Sequence, residues 1–229
     1  MGRRFFIDVE TVPPAEEYRS LIKPALIRQL CPRVVNLCAD EQFRLLSLHA
    51  EYGRVLAIGV LIEQDHRVIR CGVLGRDRGE SHFHLDEVRT LRGFWKLLAD
   101  FDASRDLIIG HNVMDFDLPF LYKRSRINRV SPGIHLNFAR YRHAPIYDTM
   151  REWSHWNPHA GLISLAHLAA VLGVDMTKTE GMDGSRVYDE FLAGNHELIA
   201  DYCIQDVKLV RAIYYRMVFP EGPEPQDVG

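Results

Sequence analysis

The sequence predicts one α/β domain built on a mixed sheet, and two patterns carry that reading. Apolar runs at 5–8, 54–63 and 68–74 read as three strands of an antiparallel meander. From residue 85 onward, helical stripes alternate with short buried strands, the pattern of a sheet with parallel strands and helices on its faces. No internal repeat appears, and no linker rich enough in Gly, Pro or Ser divides the chain. The expectation is a single domain over 1–218, with an insert at 13–53 and a disordered tail at 219–229.

Taken in order, 5–8 (Phe-Phe-Ile-Asp) is a buried strand. The insert that follows is long for a connection. It is weakly helical at 18–30 and 41–48, and reads as a lid or a substrate-facing arm. Strands at 54–63 and 68–74 complete the meander. Residues 85–101 place Leu91, Phe94, Leu97 and Leu98 on one stripe and are predicted helical. Leu-Ile-Ile-Gly at 107–110 is a short buried strand, and 116–127 returns to helix with Pro119 in its first turn, where the missing N–H costs little. A short strand is expected at 145–150, then helices at 162–172, 187–192 and 196–217. The tail is rich in Pro and Glu.

The chain has 229 residues, 47% apolar and 26% charged, enough for a sizeable core. Its net charge of −3 argues against a protein that coats nucleic acid with a broadly basic surface, but leaves room for a local basic groove. Cys31, Cys38, Cys71 and Cys203 form no C-x-x-C pair or zinc spacing and read as reduced thiols. The apolar run after Met1 is too short for a signal peptide, and no stretch reaches the roughly 18 apolar residues of a membrane span. The expected setting is therefore cytoplasmic, with no membrane partner.

Three motifs carry chemistry. Asp8 and Glu10 stand one residue apart, and in an extended strand they share a face. Two acids on one face of an apolar strand are costly unless a cation lies between them, and hard divalent ions take oxygen ligands. The competing reading is a strand that has ended at Asp8 and runs into an acidic loop. The second motif, at 111–119 (His-Asn-Val-Met-Asp-Phe-Asp-Leu-Pro), follows a buried strand, and sites in α/β sheets form at such carboxyl ends. Asp115 is assigned to capping the next helix and Asp117 is the candidate ligand. The third lies on the last helix, where Tyr202 and Asp206 are i and i+4, hence on one face, flanked there by apolar Ile199 and Val210. A core-facing Asp needs a partner; an Asp turned to solvent does not.

Together these motifs resemble the DEDD superfamily of 3′–5′ exonucleases: Asp8-x-Glu10, Asn112-x-x-x-Phe116-Asp117-x-Pro119 and Tyr202-x-x-x-Asp206, the last in its tyrosine variant. The histidine variant carries His five residues before the final Asp, where this chain has Asp201. The resemblance is closest to stand-alone bacterial proteins related to the proofreading exonuclease of family-B DNA polymerases, spans 4–217, and includes Tyr52-Gly53-Arg54-Val55 and Asp183-Gly184-Ser185-Arg186-Val187.

The resemblance implies a ribonuclease H-like fold and two divalent metal ions, Mg²⁺ or Mn²⁺, held by Asp8, Glu10, Asp117 and Asp206. On that scheme Asp8 bridges both ions, Glu10 and Asp206 complete the first site, Asp117 serves the second, and Tyr202 orients the attacking water. The expected substrate is the 3′ end of single-stranded DNA in preference to RNA, with a separate polymerase or repair partner needed for any proofreading role. Thr11, Asn112, Phe116, Lys178 and Ser185 are the candidate substrate contacts, Phe116 having core packing as an equal alternative. Asp148 is assigned to helix capping or to supporting the ligands.

Between Leu118 and Tyr147 there is no acidic residue, while Lys123, Arg124, Arg126, Arg129, Arg140 and Arg142 interleave with Tyr122, Phe138 and Tyr141. That suits a single strand in a groove, or else a solvated helix face and loop. His82, His84, His155 and His159 are assigned to surface loops, since no set of ligands is complete. Two rival functions stay open: an exoribonuclease of the same superfamily, and a non-catalytic nucleic-acid-binding or polymerase-accessory module.

Overall fold

A computed structural model describes residues 2–21, 37–175 and 182–219. Five strands form one sheet in the order β3-β2-β1-β4-β5. They are β1 (Arg3–Val12), β2 (Arg54–Gln64), β3 (Arg67–Leu74), β4 (Leu107–Gly110) and β5 (Ile146–Asp148). The meander is as expected: β1 pairs antiparallel with β2, and β2 with β3. On the other side β1 pairs parallel with β4, and β4 with β5. The helices are α1 (Ala39–Leu45), α2 (Glu87–Leu97), α3 (Asp117–Ile127), α4 (Thr149–Trp153), α5 (Leu165–Leu172), α6 (Val187–Leu192) and α7 (His196–Val218).

Alternation along β1 decides which layer each residue meets. Phe5, Ile7 and Val9 join a core with Leu91 and Phe94 of α2 and Leu118 and Leu121 of α3. Phe6 packs with Val207, Val210 and Tyr214 of α7, and Val12 with Ile199 and Cys203 of the same helix. Asp8 and Glu10 share the parity of Phe6 and Val12, so they project toward α7. Strand β1 runs through both acids to Val12, which removes the reading of a strand that ends at Asp8.

Two buried ion networks pin these layers. Glu63 on β2 is fully buried and accepts from Arg211 Nε of α7 (2.6 Å), from Arg4 of β1 (3.3 Å) and from the Tyr215 hydroxyl. Glu87 of α2 accepts from Arg124 Nε (2.8 Å) and Nη2 (2.6 Å), Asn128 Nδ2 (2.8 Å) and the Val55 N–H (2.8 Å), tying α2 and α3 to β2.

Several expectations need correction. The strand expected at 145–150 stops at Asp148, whose carboxylate caps the short helix α4. Asp115 does not cap α3: the N-cap is Phe116, without a side-chain bond, and Asp115 instead pairs with Arg151. The helix expected at 85–101 is shorter at both ends: it begins at Glu87, where Asp86 caps it and accepts from the Arg89 N–H (3.0 Å), and it ends at Leu97 with Leu98 as its C-cap. Of the helix expected at 18–30, the described part is a 3₁₀ turn, Glu16–Leu21, and the remainder lies outside the described residues, as does nearly all of the tail.

Candidate active site

Strand β1 and helix α7 bring three carboxylates together. Ligand oxygens of Asp8, Glu10 and Asp206 all lie within 4.8 Å of one another, the one such metal-capable group among the described residues. The close approach depends on a glycine that sequence reasoning did not single out. Gly59 of β2 is the register partner of Asp8. A Cβ placed on Gly59 would lie 2.7 Å from the Cys203 carbonyl oxygen and 3.1 Å from Val207 Cγ1, both on α7. The bare backbone of β2 thus lets α7 settle on the sheet beside the acidic pair. Within α7, Ile199, Cys203, Val207 and Val210 are buried, and the half-buried Tyr202 and Asp206 sit at the rim of that face.

The fourth carboxylate arrives by another route. Strand β4 ends at Gly110, and the chain turns at Asn112 in the left-handed region (φ 62°), a conformation asparagine tolerates better than most residues. The Asn112 carbonyl accepts the N–H groups of Asp115 (3.2 Å) and Phe116 (2.9 Å), and α3 begins at Asp117. Asp117 is buried, and its Oδ1 accepts the Val9 N–H at 2.9 Å. Val9 lies between Asp8 and Glu10, so one hydrogen bond ties the second motif to the first.

Asp148 holds the turn in place. Fully buried at the end of β5, it accepts from the N–H groups of Asn112 (3.0 Å) and Met114 (3.0 Å) of the turn, and from those of Met150 (3.0 Å) and Arg151 (3.2 Å) of α4. His111 braces the same turn through Thr149 Oγ1 (2.9 Å) and the Ile163 carbonyl (2.8 Å). Asp148 therefore acts on backbone, as the sequence assigned it. That a single carboxylate serves both elements was not legible there.

The electrostatics are those of a buried acidic cluster. Burial, with Glu10, Asp206 and Asp117 adding to it, holds the Asp8 carboxyl well above the usual carboxylate range. Burial, then the charges of Asp206 and Asp117, pushes Glu10 up to about 8. Burial lifts Asp117 to about 7, its own N–H and that of Val9 opposing the rise and the Asp148 charge assisting it. Asp8 Oδ2 is sealed from solvent and has no hydrogen-bond partner. A clustered set of oxygen donors, with Asp8, Glu10 and Asp117 held reluctantly in their charged forms and one atom left orphaned, suits a hard divalent cation. Tyr202 is hydrogen-bonded to Asp206, and burial followed by the Glu10, Asp206 and Asp8 charges raises its phenol further, so it stays protonated at neutral pH.

The other candidates distribute unevenly. Thr11 lies just beyond Glu10, where the β1–β2 register shifts. Phe116 is half-buried with its ring 5.5 Å from that of Phe120, so part of it is core. Ser185 sits in an exposed 3₁₀ turn, its N–H donating to Asp183 Oδ1 at 2.8 Å. Lys178 lies outside the described residues. In the basic segment, Arg124 is a buried partner of Glu87 and no groove residue, and Lys123 pairs with Glu51 (2.9 Å). Arg126, Arg129, Arg140 and Arg142 remain exposed, as do His82, His155 and His159, while His84 is half-buried and accepts the Asp86 N–H at 3.1 Å. Among the described residues no helix is long and apolar enough to cross a membrane.

A family model described as a predicted 3′–5′ exonuclease related to the exonuclease domain of PolB matches residues 46–224. Among solved structures, the family B DNA polymerase from the hyperthermophilic archaeon Pyrobaculum calidifontis aligns with a TM-score of 0.56 and 19% identity, over 95% of this chain and 25% of the polymerase. The chain thus spans a quarter of that polymerase, and the likeness is one of fold. It agrees with the ribonuclease H-like arrangement expected of a mixed five-stranded sheet flanked by helices. No curated protein is significantly similar in sequence.

Proposed function

The chain belongs to the family of predicted 3′–5′ exonucleases related to the exonuclease domain of PolB, and we propose that it hydrolyses phosphodiester bonds from the 3′ end of single-stranded DNA, releasing nucleoside 5′-monophosphates. The observation that carries this reading is the convergence of Asp8, Glu10 and Asp206 around an unpartnered buried oxygen. Those three residues would hold one divalent ion, Mg²⁺ or Mn²⁺, with Asp8 shared between it and a second ion served by Asp117. When bound, such a pair supplies Lewis acidity to the attacking and leaving oxygens of an in-line displacement.

The remaining roles belong to the chain's own groups. Tyr202, a protonated phenol beside Asp206, orients the attacking water as a hydrogen-bonding group and is no general base. The Val9 N–H fixes the rotamer of Asp117. Asp148 keeps the 111–116 turn, and with it Asn112 and Phe116, in place to receive the terminal nucleotide. The backbone of Thr11, one residue past Glu10 on β1, would meet the 3′-hydroxyl.

The test is digestion of 5′-labelled single-stranded DNA and a matched RNA in Mg²⁺ or Mn²⁺, with EDTA and Asp206→Ala as controls. The expected result is a ladder that shortens from the 3′ end of DNA only. It should vanish in EDTA, and Asp206→Ala should lower the rate by more than the roughly 10–100-fold typical of losing a residue that merely supports a ligand. Shortening of RNA alone would assign the chain to the exoribonucleases. Absence of metal-dependent cleavage of either strand would leave a binding module.

A further inference from the structure

Helix α3 carries Asp117 at its first position, and a second feature begins where that turn ends. Leu118, Leu121, Arg124 and Ser125 point inward, so the opposite face presents Pro119, Tyr122, Lys123 and Arg126, spaced at i, i+3, i+4 and i+7. That face forms one wall of a cavity of about 460 Å³ whose other wall comes from His135, Leu136, Phe138, Arg140 and Trp156. Met114 and Asp115 line the same cavity, so it opens directly beside the motif that holds Asp117.

The walls are hydrogen-bonded to each other and the charge is positive. The Tyr122 hydroxyl donates to the Ile134 carbonyl (2.8 Å) and accepts the Leu136 N–H (3.1 Å), while the Phe138 ring packs 5.6 Å from that of Tyr122. Beyond the lining itself, the ring of Tyr141 leans on the lining residue Trp156 with centroids 5.5 Å apart and is 70% exposed, a large aromatic surface next to the cavity. The Arg126 side chain is exposed and makes no ion pair or hydrogen bond among the described residues, its carbonyl alone accepting from the Arg129 N–H (3.2 Å) and from Asn128. Arg140 is 69% exposed and reaches Asp115 only at 3.8 Å. Asp115, the acid of the lining, is already engaged by Arg151. An apolar peptide would leave these guanidinium groups without counter-ions, whereas a strand of phosphates and bases answers both features at once.

We propose that this groove receives the single-stranded nucleic acid on the 5′ side of the terminal nucleotide, with Tyr141 and Trp156 as a base-stacking platform and Arg126 and Arg140 as phosphate contacts. The identity of the strand rests on the exonuclease reading above. The site itself is testable without cleavage.

The experiment is fluorescence anisotropy in EDTA with dye-labelled single strands of about a dozen nucleotides, within the range a single-strand groove occupies. DNA and RNA arms run in parallel, together with an abasic strand of the same length. Tyr141→Ala should weaken binding about tenfold on the base-bearing strand and much less on the abasic one. Arg126→Ala should weaken both and lower the slope of log affinity against log salt by about 0.7. Arg105→Ala, an exposed arginine outside the groove, is the control and should bind normally. The proposal is overturned if Tyr141→Ala loses as much on the abasic strand, if Arg126→Ala keeps the wild-type slope, or if neither variant differs from wild type. Digestion of the same strands by the wild-type protein in Mn²⁺ is read separately. If nothing is cut the exonuclease reading falls, while the anisotropy still decides the groove.

Discussion

Replacing Gly59 by alanine probes how closely α7 must approach the sheet for the carboxylates to act together. The added Cβ would lie 2.7 Å from the Cys203 carbonyl oxygen, 3.1 Å from Val207 Cγ1 and 3.3 Å from the Cys203 carbonyl carbon. Ordinary contact begins near 3.4 Å, and the nearest atom is helix backbone, so relief requires α7 to withdraw by roughly 0.7 Å. Overpacking of this kind costs about 1–3 kcal/mol, and in a domain of this size each kcal/mol lowers the melting temperature by about 2–4 °C. Asp206 rides on that segment while Asp8 and Glu10 stay on β1. A misplacement near 1 Å can cost about 100-fold, so the cleavage rate should fall by roughly 10–100-fold, with weaker Mn²⁺ binding by calorimetry. Gly72→Ala on β3 is the matched control, because a Cβ there meets nothing within 4 Å. Wild-type Mn²⁺ affinity and turnover in a Gly59→Ala protein of lowered melting temperature would refute the idea that this contact sets the site.

Other consequences concern charge and burial. Glu10 and Asp117 have folded-state values raised to about 8 and about 7, above those of an unfolded chain. Their contribution to stability is complete below the unfolded carboxylate range and is lost as pH rises through those values. In EDTA the melting temperature should therefore fall between pH about 5 and about 8, with a few kcal/mol at stake, and a saturating divalent cation should restore more at the upper end. A flat profile in EDTA would contradict this. Glu87→Gln should lower the urea midpoint by the equivalent of about 3 kcal/mol, since it leaves Arg124 charged, buried and without its carboxylate. Asp148→Ala deprives four backbone N–H groups of their acceptor and should cost at least about 3 kcal/mol, with activity falling alongside; Asp148→Asn, which keeps an acceptor oxygen, should lose less in the same denaturation assay.

What the sequence made legible depended on local contrast. Asp8 and Glu10 stand out because acids at i and i+2 break an otherwise apolar strand, and Asp206 because it shares a helical face with Ile199 and Val210. The strands and the long helix followed from periods of two and 3.6, which local pattern alone sets. What escaped depends on contacts between distant segments. Arg124 reads as one more base in a basic stretch until α2 presents Glu87 to it. Asp115 has the composition of a helix cap, but Arg151 claims it from 36 residues away. Gly59 looks like an ordinary glycine in a strand, and only the helix above explains it. Helix α4 has five residues, too few to show a period.

The position of Asp117 follows from the length of β4. Strand β1 pairs with β4 only from Arg4 to Phe6, because β4 is only four residues long and ends at Gly110. Beyond that point the β4 side of β1 has lost its neighbour, and the Val9 N–H would be a buried donor without an acceptor, which costs about 1–3 kcal/mol. Asp117 Oδ1 supplies the acceptor at 2.9 Å. The same bond that completes the edge of β1 fixes the fourth carboxylate next to the first two. Asp8 and Glu10 project from the α7 face, while Asp117 enters in the plane of the sheet through the gap that β4 vacates. A longer β4 would fill that gap with backbone and keep Asp117 away from the cluster. The short parallel strand, the left-handed turn at Asn112 and the Asp148 clamp are therefore one arrangement, and each is needed for an acid on α3 to meet acids on β1.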